Sequence, residues 1–196
     1  RRSSRRGPGR PPRKPAPSTR RRRWRNPLPE GHIGKIRIVL GDDHTLVRQG
    51  LRKILEEQPE WTVVAEASDG REAVHQTLAL QPDVVVLDIG MPLLNGIEAT
   101  RQIARRFANI HILILSMHSE EAYITQAMKA GARGYLLKDS ADTELIQAVM
   151  AVAAGKSFLS PAVGNVMLDD YVRHLEEKGI VVGFESLSER ELEIFQ

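Results

Sequence analysis

Polar side chains end several of the apolar runs in this chain. Asp42 and Asp43 come after the first run and Gly41, and Asp88 directly follows the third run. Ser116 and Lys138 end two later runs in the same way. Carboxylates, a hydroxyl and an ammonium that converge can bind a cation and an oxyanion together, which is what phosphoryl chemistry requires.

The apolar residues also indicate the elements that would position these side chains. Short runs rich in Val, Ile and Leu, typical of buried strands, alternate with runs of helical periodicity. The predicted strands are 36–40, 61–68, 83–87, 110–116 and 134–138. The predicted helices are 45–58, 70–81, 96–107, 120–131 and 141–155. With right-handed crossovers, this alternation predicts an α/β fold with a doubly wound, five-stranded parallel sheet.

In such a sheet, ligands bind outside the carboxyl ends of the strands, so the five polar residues should meet there. Carboxylates that share one crevice repel one another and need a cation. The all-oxygen choice is Mg²⁺, which accepts few carboxylates and keeps several waters. One carboxylate could then attack a phosphoryl group, while Lys138 neutralises its oxygens and Ser116 donates a hydrogen bond.

Five motifs in order along residues 35–185 carry a resemblance to a known family. They are GDDHTLVRQGL, VVVLDIGMPLLNGIEA, ILSMHSEEAY, GARGYLLKDS and GKSFLSP. In these motifs the chain resembles the flavodoxin-like receiver domain of two-component response regulators, specifically the NarL/FixJ family. The terminal LSERELEIFQ resembles the opening of a LuxR-type helix-turn-helix output domain.

The resemblance implies a role for each residue of the predicted crevice. Asp88 would be the phosphoacceptor, served by a sensor histidine kinase. Asp43, Asp88 and the backbone carbonyl of Gly90 would ligate Mg²⁺ directly, and Asp42 would do so through a water. Lys138 would contact the phosphoryl group.

Two further residues would change position when Asp88 is phosphorylated. Ser116 would reorient toward the phosphoryl group, and Tyr135 would follow as a switch aromatic that is either buried or exposed. The implied protein is a regulator of transcription that acts through homodimerisation and DNA binding. It would be a switch with self-catalysed phosphorylation and slow autodephosphorylation, not a turnover enzyme.

Plainer interpretations stand beside these roles. Asp88 could cap a loop or helix, as most acids at strand ends do, and Tyr135 could be a packing residue. His44 is expected only to cap or hydrogen-bond at the start of the first helix, and His118 to be a loop residue near the site. The chain could also be a phosphorylation-independent receiver that dimerises constitutively. A haloacid-dehalogenase-like phosphatase would need D-x-D after the first strand, and a nucleotide-dependent oxidoreductase would need G-x-G-x-x-G; the sequence has neither there.

Residues 1–34 form an Arg/Pro-rich segment that buries too little apolar surface to order itself, so we expect disorder. Residues 1–35 contain 13 Lys or Arg and one acid, whereas the remainder contains 15 Lys or Arg and 24 acids. GPGRPPRK loosely resembles an AT-hook; a generic polybasic arm and an extension without a selected role remain open. Any contact of this segment with nucleic acid would be nonspecific and salt-dependent, through Arg10, Arg13, Arg21, Arg22 and Arg23.

A different pattern follows the receiver at 35–156. Ser160-Pro161 is typical of a helix start and Gly179 of a helix stop, so 157–185 is predicted to be a linker that contains a helix. Residues 186–196 would be the truncated start of the output domain, too short to read an operator specifically. The chain has no cysteine and no apolar run of about 20 residues, so we expect a cytoplasmic protein without disulfides or membrane contact.

Overall fold

The structure is a computed structural model that describes residues 35–178. The basic segment with its five candidate arginines, the predicted stop at Gly179 and the predicted output-domain start at 186–196 lie outside the described residues. Within residues 35–178, no helix is both long enough and apolar enough to cross a membrane.

Strands and helices alternate along the described chain. The strands are β1 Ile36–Gly41, β2 Trp61–Ala67, β3 Val84–Asp88, β4 His111–Ser116, β5 Gly134–Leu137 and β6 Phe158–Leu159. The helices are α1 Thr45–Glu56, α2 Gly70–Leu80, α3 Gly96–Arg106, α4 Glu121–Ala130, α5 Ala141–Ala153 and α6 Pro161–Glu177. A single 3-10 turn, Lys138–Ser140, joins β5 to α5.

All strands of the sheet are parallel, in the order β2-β1-β3-β4-β5-β6. β2 lies on one side of β1, and β3 to β6 follow one another on the other side. The strand order therefore reverses between the neighbouring strands β1 and β3. A crevice opens outside the carboxyl ends of the strands at such a reversal. The acids that follow β1 and end β3 therefore lie at the mouth of this crevice.

Two apolar layers cover the sheet, one on each face. Successive side chains point to opposite faces, so Val39 and Val85 lie in one layer and Ile38, Leu40 and Val86 in the other. All five are fully buried. Burial of each such side chain contributes roughly 1.5–3 kcal/mol, which is enough to fix the strand ends in place.

Side-chain caps begin two of the helices next to the crevice. At the N-cap of α2, Asp69 Oδ1 accepts hydrogen bonds from the backbone N–H groups of Arg71 and Glu72 at 2.8 and 2.9 Å. Asn95 Oδ1 accepts from Glu98 N at 2.8 Å at the start of α3. Ser160 takes the N-cap position of α6, but its buried hydroxyl has no hydrogen-bond partner among the described residues.

The doubly wound parallel sheet is confirmed, but the predicted count of five strands is one too few. Phe158–Leu159, assigned from the sequence to the linker, pairs with β5 in the registers Gly134 to Phe158 and Tyr135 to Leu159. The pairing comes from long-range register rather than from local pattern, because two residues are too short to show a strand periodicity.

Helix α6 packs onto the receiver rather than standing free. Val163 is fully buried in the same apolar layer as Tyr135, and Val166 and Met167 pack against that layer. Arg173 Nη2 lies 3.7 Å from Glu121 Oε2 on α4. The predicted linker helix therefore covers the α4 side of the sheet.

Candidate functional site

The three acids predicted to meet do lie together at the crevice. Asp42 and Asp43 follow the last residue of β1, and Asp88 is the last residue of β3. Potential ligand atoms of Asp42, Asp43, His44 and Asp88 all lie within 4.8 Å of one another. Asp42 is fully buried and Asp88 is 5% exposed, so solvent screens their mutual repulsion poorly.

Lys138 provides the positive charge inside this cluster. Its Nζ lies 2.8 Å from Asp42 Oδ2 and 2.9 Å from Asp88 Oδ2. Burial lowers the pKa of the Lys138 ammonium, but hydrogen bonds and opposite charge from Asp42 and Asp88 outweigh it, so its pKa lies above the ordinary lysine value. Lys138 is therefore charged at neutral pH and bridges the two strand ends.

The donor set at the crevice fits a hard divalent cation. One carboxylate oxygen from each of Asp42, Asp43 and Asp88 lies within 4.8 Å of the other two. Gly90 is exposed beside the cluster, and a Cβ added there would lie only 3.5 Å from Asp88 Oδ2. This chemistry and spacing suit Mg²⁺, which takes one or two carboxylates and fills its other positions with water or substrate oxygens.

His44 lies at the rim, and its contacts are with the two neighbouring acids. Its backbone N–H donates to Asp42 Oδ1 at 2.8 Å, and its Nδ1 lies 2.9 Å from Asp43 Oδ1. It occupies the N-cap position of α1 but makes no side-chain capping bond. The predicted structural role of His44 thus takes the form of a backbone bond that orients Asp42.

Ser116 is the last residue of β4, and the residue before it, Leu115, pairs with Asp88 of β3. It is fully buried, and its Oγ accepts a hydrogen bond from His118 N at 2.9 Å. The hydroxyl is therefore held by the β4–α4 loop, and a turn of its side chain toward the crevice would break this bond.

Tyr135 is fully buried, with its ring in the apolar layer beneath α4. Its hydroxyl donates to the carbonyl oxygen of His118 at 2.8 Å. Burial raises the pKa of Tyr135, so the hydroxyl stays protonated and can donate. Of the two positions expected for a switch aromatic, the structure has the inward one.

His118 is the common partner of these two side chains. Its N–H and carbonyl oxygen bind Ser116 and Tyr135, and its ring stacks on Tyr123 of α4 at 4.3 Å between centroids. The sequence identified His118 only as a loop residue. Its aromatic partner five positions later was the available signal, although the stacking itself depends on the loop conformation.

Gly96 is a second residue whose importance the sequence did not reveal. A Cβ there would lie 2.1 Å from the carbonyl oxygen of Asp88, so only glycine lets α3 start against the end of β3. The signal was the Asn95-Gly96 pair, which is typical of a turn. The Lys138–Asp139 peptide bond is trans, like every peptide bond in residues 35–178.

The lysine-bridged acids lie at the strand-order reversal of a doubly wound sheet, as the resemblance to the receiver class implies. The chain belongs to the response regulator receiver domain family, whose model matches residues 38–150. It is a response regulator of the NarL/LuxR type, as the similar proteins indicate.

Three similar proteins illustrate the relationship. The transcriptional regulatory protein DegU of Brevibacillus brevis is 40% identical over 174 residues, which cover 83% of this chain and 74% of DegU. A LuxR-family response regulator from Aurantimonas sp. superposes with a TM-score of 0.69 at 41% identity, covering 71% of this chain and 99% of that one. The structure of RcsB dimers bound to DNA matches at 27% identity with a TM-score of 0.64, covering 76% and 80%.

Proposed function

We propose that this response regulator accepts a phosphoryl group on Asp88 from a phosphohistidine of a sensor histidine kinase. One observation carries the proposal: Lys138 Nζ bridges Asp42 and Asp88 within 2.9 Å at the strand-order reversal. Most acids at strand ends cap a turn, but Asp88 faces a buried ammonium and two further carboxylates. Such an arrangement suits an anion that arrives together with a cation.

Asp43, Asp88 and the carbonyl of Gly90 would hold Mg²⁺ directly, with Asp42 acting through a water. When bound, Mg²⁺ would offset the negative charge of the phosphoryl oxygens and the acids. Lys138 would move from its bridge to the phosphoryl oxygens, because its flexible stem lets one ammonium serve either partner.

The transfer itself is a displacement at phosphorus. A carboxylate oxygen of Asp88 attacks the phosphorus, an O–P bond forms, and the P–N bond to the kinase histidine breaks. The electron pair of the broken bond stays on the imidazole nitrogen. The burial of Asp88 limits water at the attacking oxygen, which favours transfer over hydrolysis.

The acyl phosphate adds about −1.5 to −2 charges to the crevice. Ser116 would then exchange its bond with His118 for a phosphoryl oxygen, and the β4–α4 loop with Tyr135 would rearrange. This two-state change would shift homodimerisation and DNA binding by the output domain. DegU is named a transcriptional regulator and RcsB is solved as dimers on DNA, which supports these partners. The proposed location is the cytoplasm, where kinase, regulator and DNA meet.

Acetyl phosphate with Mg²⁺ tests the chemistry directly. We expect intact-mass measurement to show one added phosphoryl group on the wild type, lost when Mg²⁺ is chelated. Asp88→Asn should gain none. Asp69→Asn is the matched control, because Asp69 follows β2 at the same sheet edge and asparagine also caps a helix. An Asp88→Asn protein that is modified as fully as the wild type would refute the assignment.

The oligomeric state decides between a switch and a constitutive dimer. Beryllofluoride mimics a phosphoryl group on a carboxylate. Sedimentation of the full chain in Mg²⁺ should therefore give one dimerisation constant with beryllofluoride and a different one without it. A dimer of equal affinity in both conditions would favour the phosphorylation-independent alternative.

A further inference from the structure

Arg48 connects the acidic crevice to the neighbouring strand β2. It lies in the first turn of α1, and its Nη1 donates to the carbonyl oxygen of Asp42. Its Nε donates to Glu66 Oε2 at 2.9 Å on β2. The Arg48 side chain is only 14% exposed, so this bridge is held within the protein rather than in solvent.

The position of this arginine is unfavourable on local grounds alone. The first turn of a helix carries partial positive charge and favours acids, yet α1 has no acid there and has Arg48 instead. The cost is offset because the guanidinium reaches back to a carbonyl that precedes the helix. A planar fork of donors can bind two acceptors at once, which a lysine ammonium does less well.

Every polar group of Asp42 is thereby held. Its backbone N–H donates to the Ala67 carbonyl oxygen at 3.1 Å, and its carbonyl accepts from Arg48. Its Oδ1 accepts from His44 N, and its Oδ2 faces Lys138. Of these four attachments, Arg48 is the one made by a side chain that touches no ligand atom of the crevice.

We propose that Arg48 is a positioning residue for the Mg²⁺ site, which holds the β1–α1 loop so that the carboxylates of Asp42 and Asp43 face Asp88. The proposal rests on the metal-dependent function proposed above. It deepens that function by assigning metal affinity to a residue outside the ligand set, in the way that partners of metal ligands tune other sites.

Arg52 provides a matched control for charge. One turn further along α1, it donates to Glu66 Oε1 at 2.6 Å and to Glu56 Oε2 at 3.1 Å, with no bond to Asp42. The two arginines therefore share Glu66 and the same charge, but only Arg48 reaches the loop. Arg48→Met and Arg52→Met each remove one positive charge and one ion pair with Glu66.

The sign of the effect separates positioning from electrostatics. Removing a positive charge beside a cation site strengthens cation binding if charge alone matters. Loss of the bond to the Asp42 carbonyl weakens Mg²⁺ binding, because the carboxylates of Asp42 and Asp43 are no longer held facing Asp88. We expect Arg48→Met to bind Mg²⁺ roughly tenfold more weakly than the wild type. Arg52→Met should bind with equal or slightly higher affinity.

The test is a titration of the ¹⁵N-labelled full chain with Mg²⁺ alone, followed by NMR of the crevice amides. Urea unfolding in EDTA is measured for each variant, so that a change in affinity is compared between proteins of known stability. If Arg48→Met does not fold, Arg48→Lys is titrated in its place. That variant keeps the charge, and the proposal requires it also to bind Mg²⁺ more weakly than the wild type.

The outcomes are distinct. Weaker Mg²⁺ binding by the Arg48 variant with unchanged binding by Arg52→Met supports the proposal. Equal or tighter binding by the Arg48 variant overturns the role of Arg48 and leaves the proposed function intact. A wild-type chain whose crevice amides do not respond to Mg²⁺ overturns the proposed metal site, and the role of Arg48 with it.

Discussion

Tyr135 donates its phenolic hydrogen to the carbonyl oxygen of His118 at 2.8 Å, while the N–H of His118 donates to Ser116. Ser116 and Tyr135, the two side chains proposed as switch elements, therefore both bind the backbone of His118. They are joined through one residue of the β4–α4 loop. A rearrangement at Ser116 would therefore reach Tyr135 through the backbone of His118, and α4 through the stacked ring of Tyr123.

Removal of the Tyr135 hydroxyl should lower stability without disturbing the ring. Tyr135→Phe leaves the His118 carbonyl oxygen without its donor, and we expect the free energy of unfolding to fall by about 1 kcal/mol. Urea unfolding followed by circular dichroism measures this loss. Tyr123→Phe is the matched control, because it keeps the stacked ring. A Tyr135→Phe protein as stable as the wild type would show that the bond contributes nothing.

Replacement of Lys138 should lower the free energy of unfolding, because the crevice acids then repel one another without a shared cation. Lys138→Met leaves Asp42 and Asp88 without their shared cation, and breaking a buried ion pair by removing one partner costs roughly 3 kcal/mol. The loss should appear in urea unfolding with EDTA and become smaller with saturating Mg²⁺. Adding Asp88→Asn to Lys138→Met should restore part of the stability.

Lys129→Met, at an exposed site near the end of α4, controls for the loss of a lysine as such. If both lysine variants lose the same stability, the bridge is not the cause.

A methyl group at Gly96 should be tolerated far less than one at Gly50. At position 96 it would collide with the carbonyl of Asp88, so Gly96→Ala should lower the free energy of unfolding by roughly 3 kcal/mol or more. Gly50 lies exposed within α1 with nothing within 4 Å of an added Cβ, so Gly50→Ala should raise it by about 0.5–1 kcal/mol. Equal effects in urea unfolding would contradict the close approach of α3 to β3.

The sequence predicted those features that depend on local pattern and strand order. The apolar runs located β1 to β5, and the rule that ligands bind at the carboxyl ends of strands predicted that Asp42, Asp43, Asp88 and Lys138 lie at one edge of the sheet. The assignment of individual roles to these residues stays a prediction.

Features that depend on contacts between distant elements were not predictable in this way. β6 exists only through its register with β5, and the hydroxyl of the buried Tyr135 binds a loop carbonyl 17 residues earlier in the chain. The bridge from Arg48 to Glu66 joins α1 to β2, and neither segment alone shows it. The clash at Gly96 requires the backbone of Asp88 to be in place. In each case the determining partner lies in another element, and periodicity and capping rules describe only one element at a time.

Acid should destabilise the fold through His111, the first residue of β4. Burial, followed by the charge of Arg133, lowers the pKa of this imidazole below its ordinary value, while Asp83 opposes the change. The unfolded chain then binds a proton at His111 more readily than the folded protein does. The contribution of neutral His111 to the free energy of unfolding is therefore fully present above about pH 6.5, and it is lost as the pH falls from there toward the lowered folded-state pKa. We expect His111→Gln to reduce the fall in unfolding free energy between about pH 8 and about pH 5.5, measured by urea unfolding at each pH. His75→Gln, at an exposed position on α2, controls for the loss of a histidine as such. A His111→Gln protein that keeps the full wild-type pH dependence would place the acid sensitivity elsewhere.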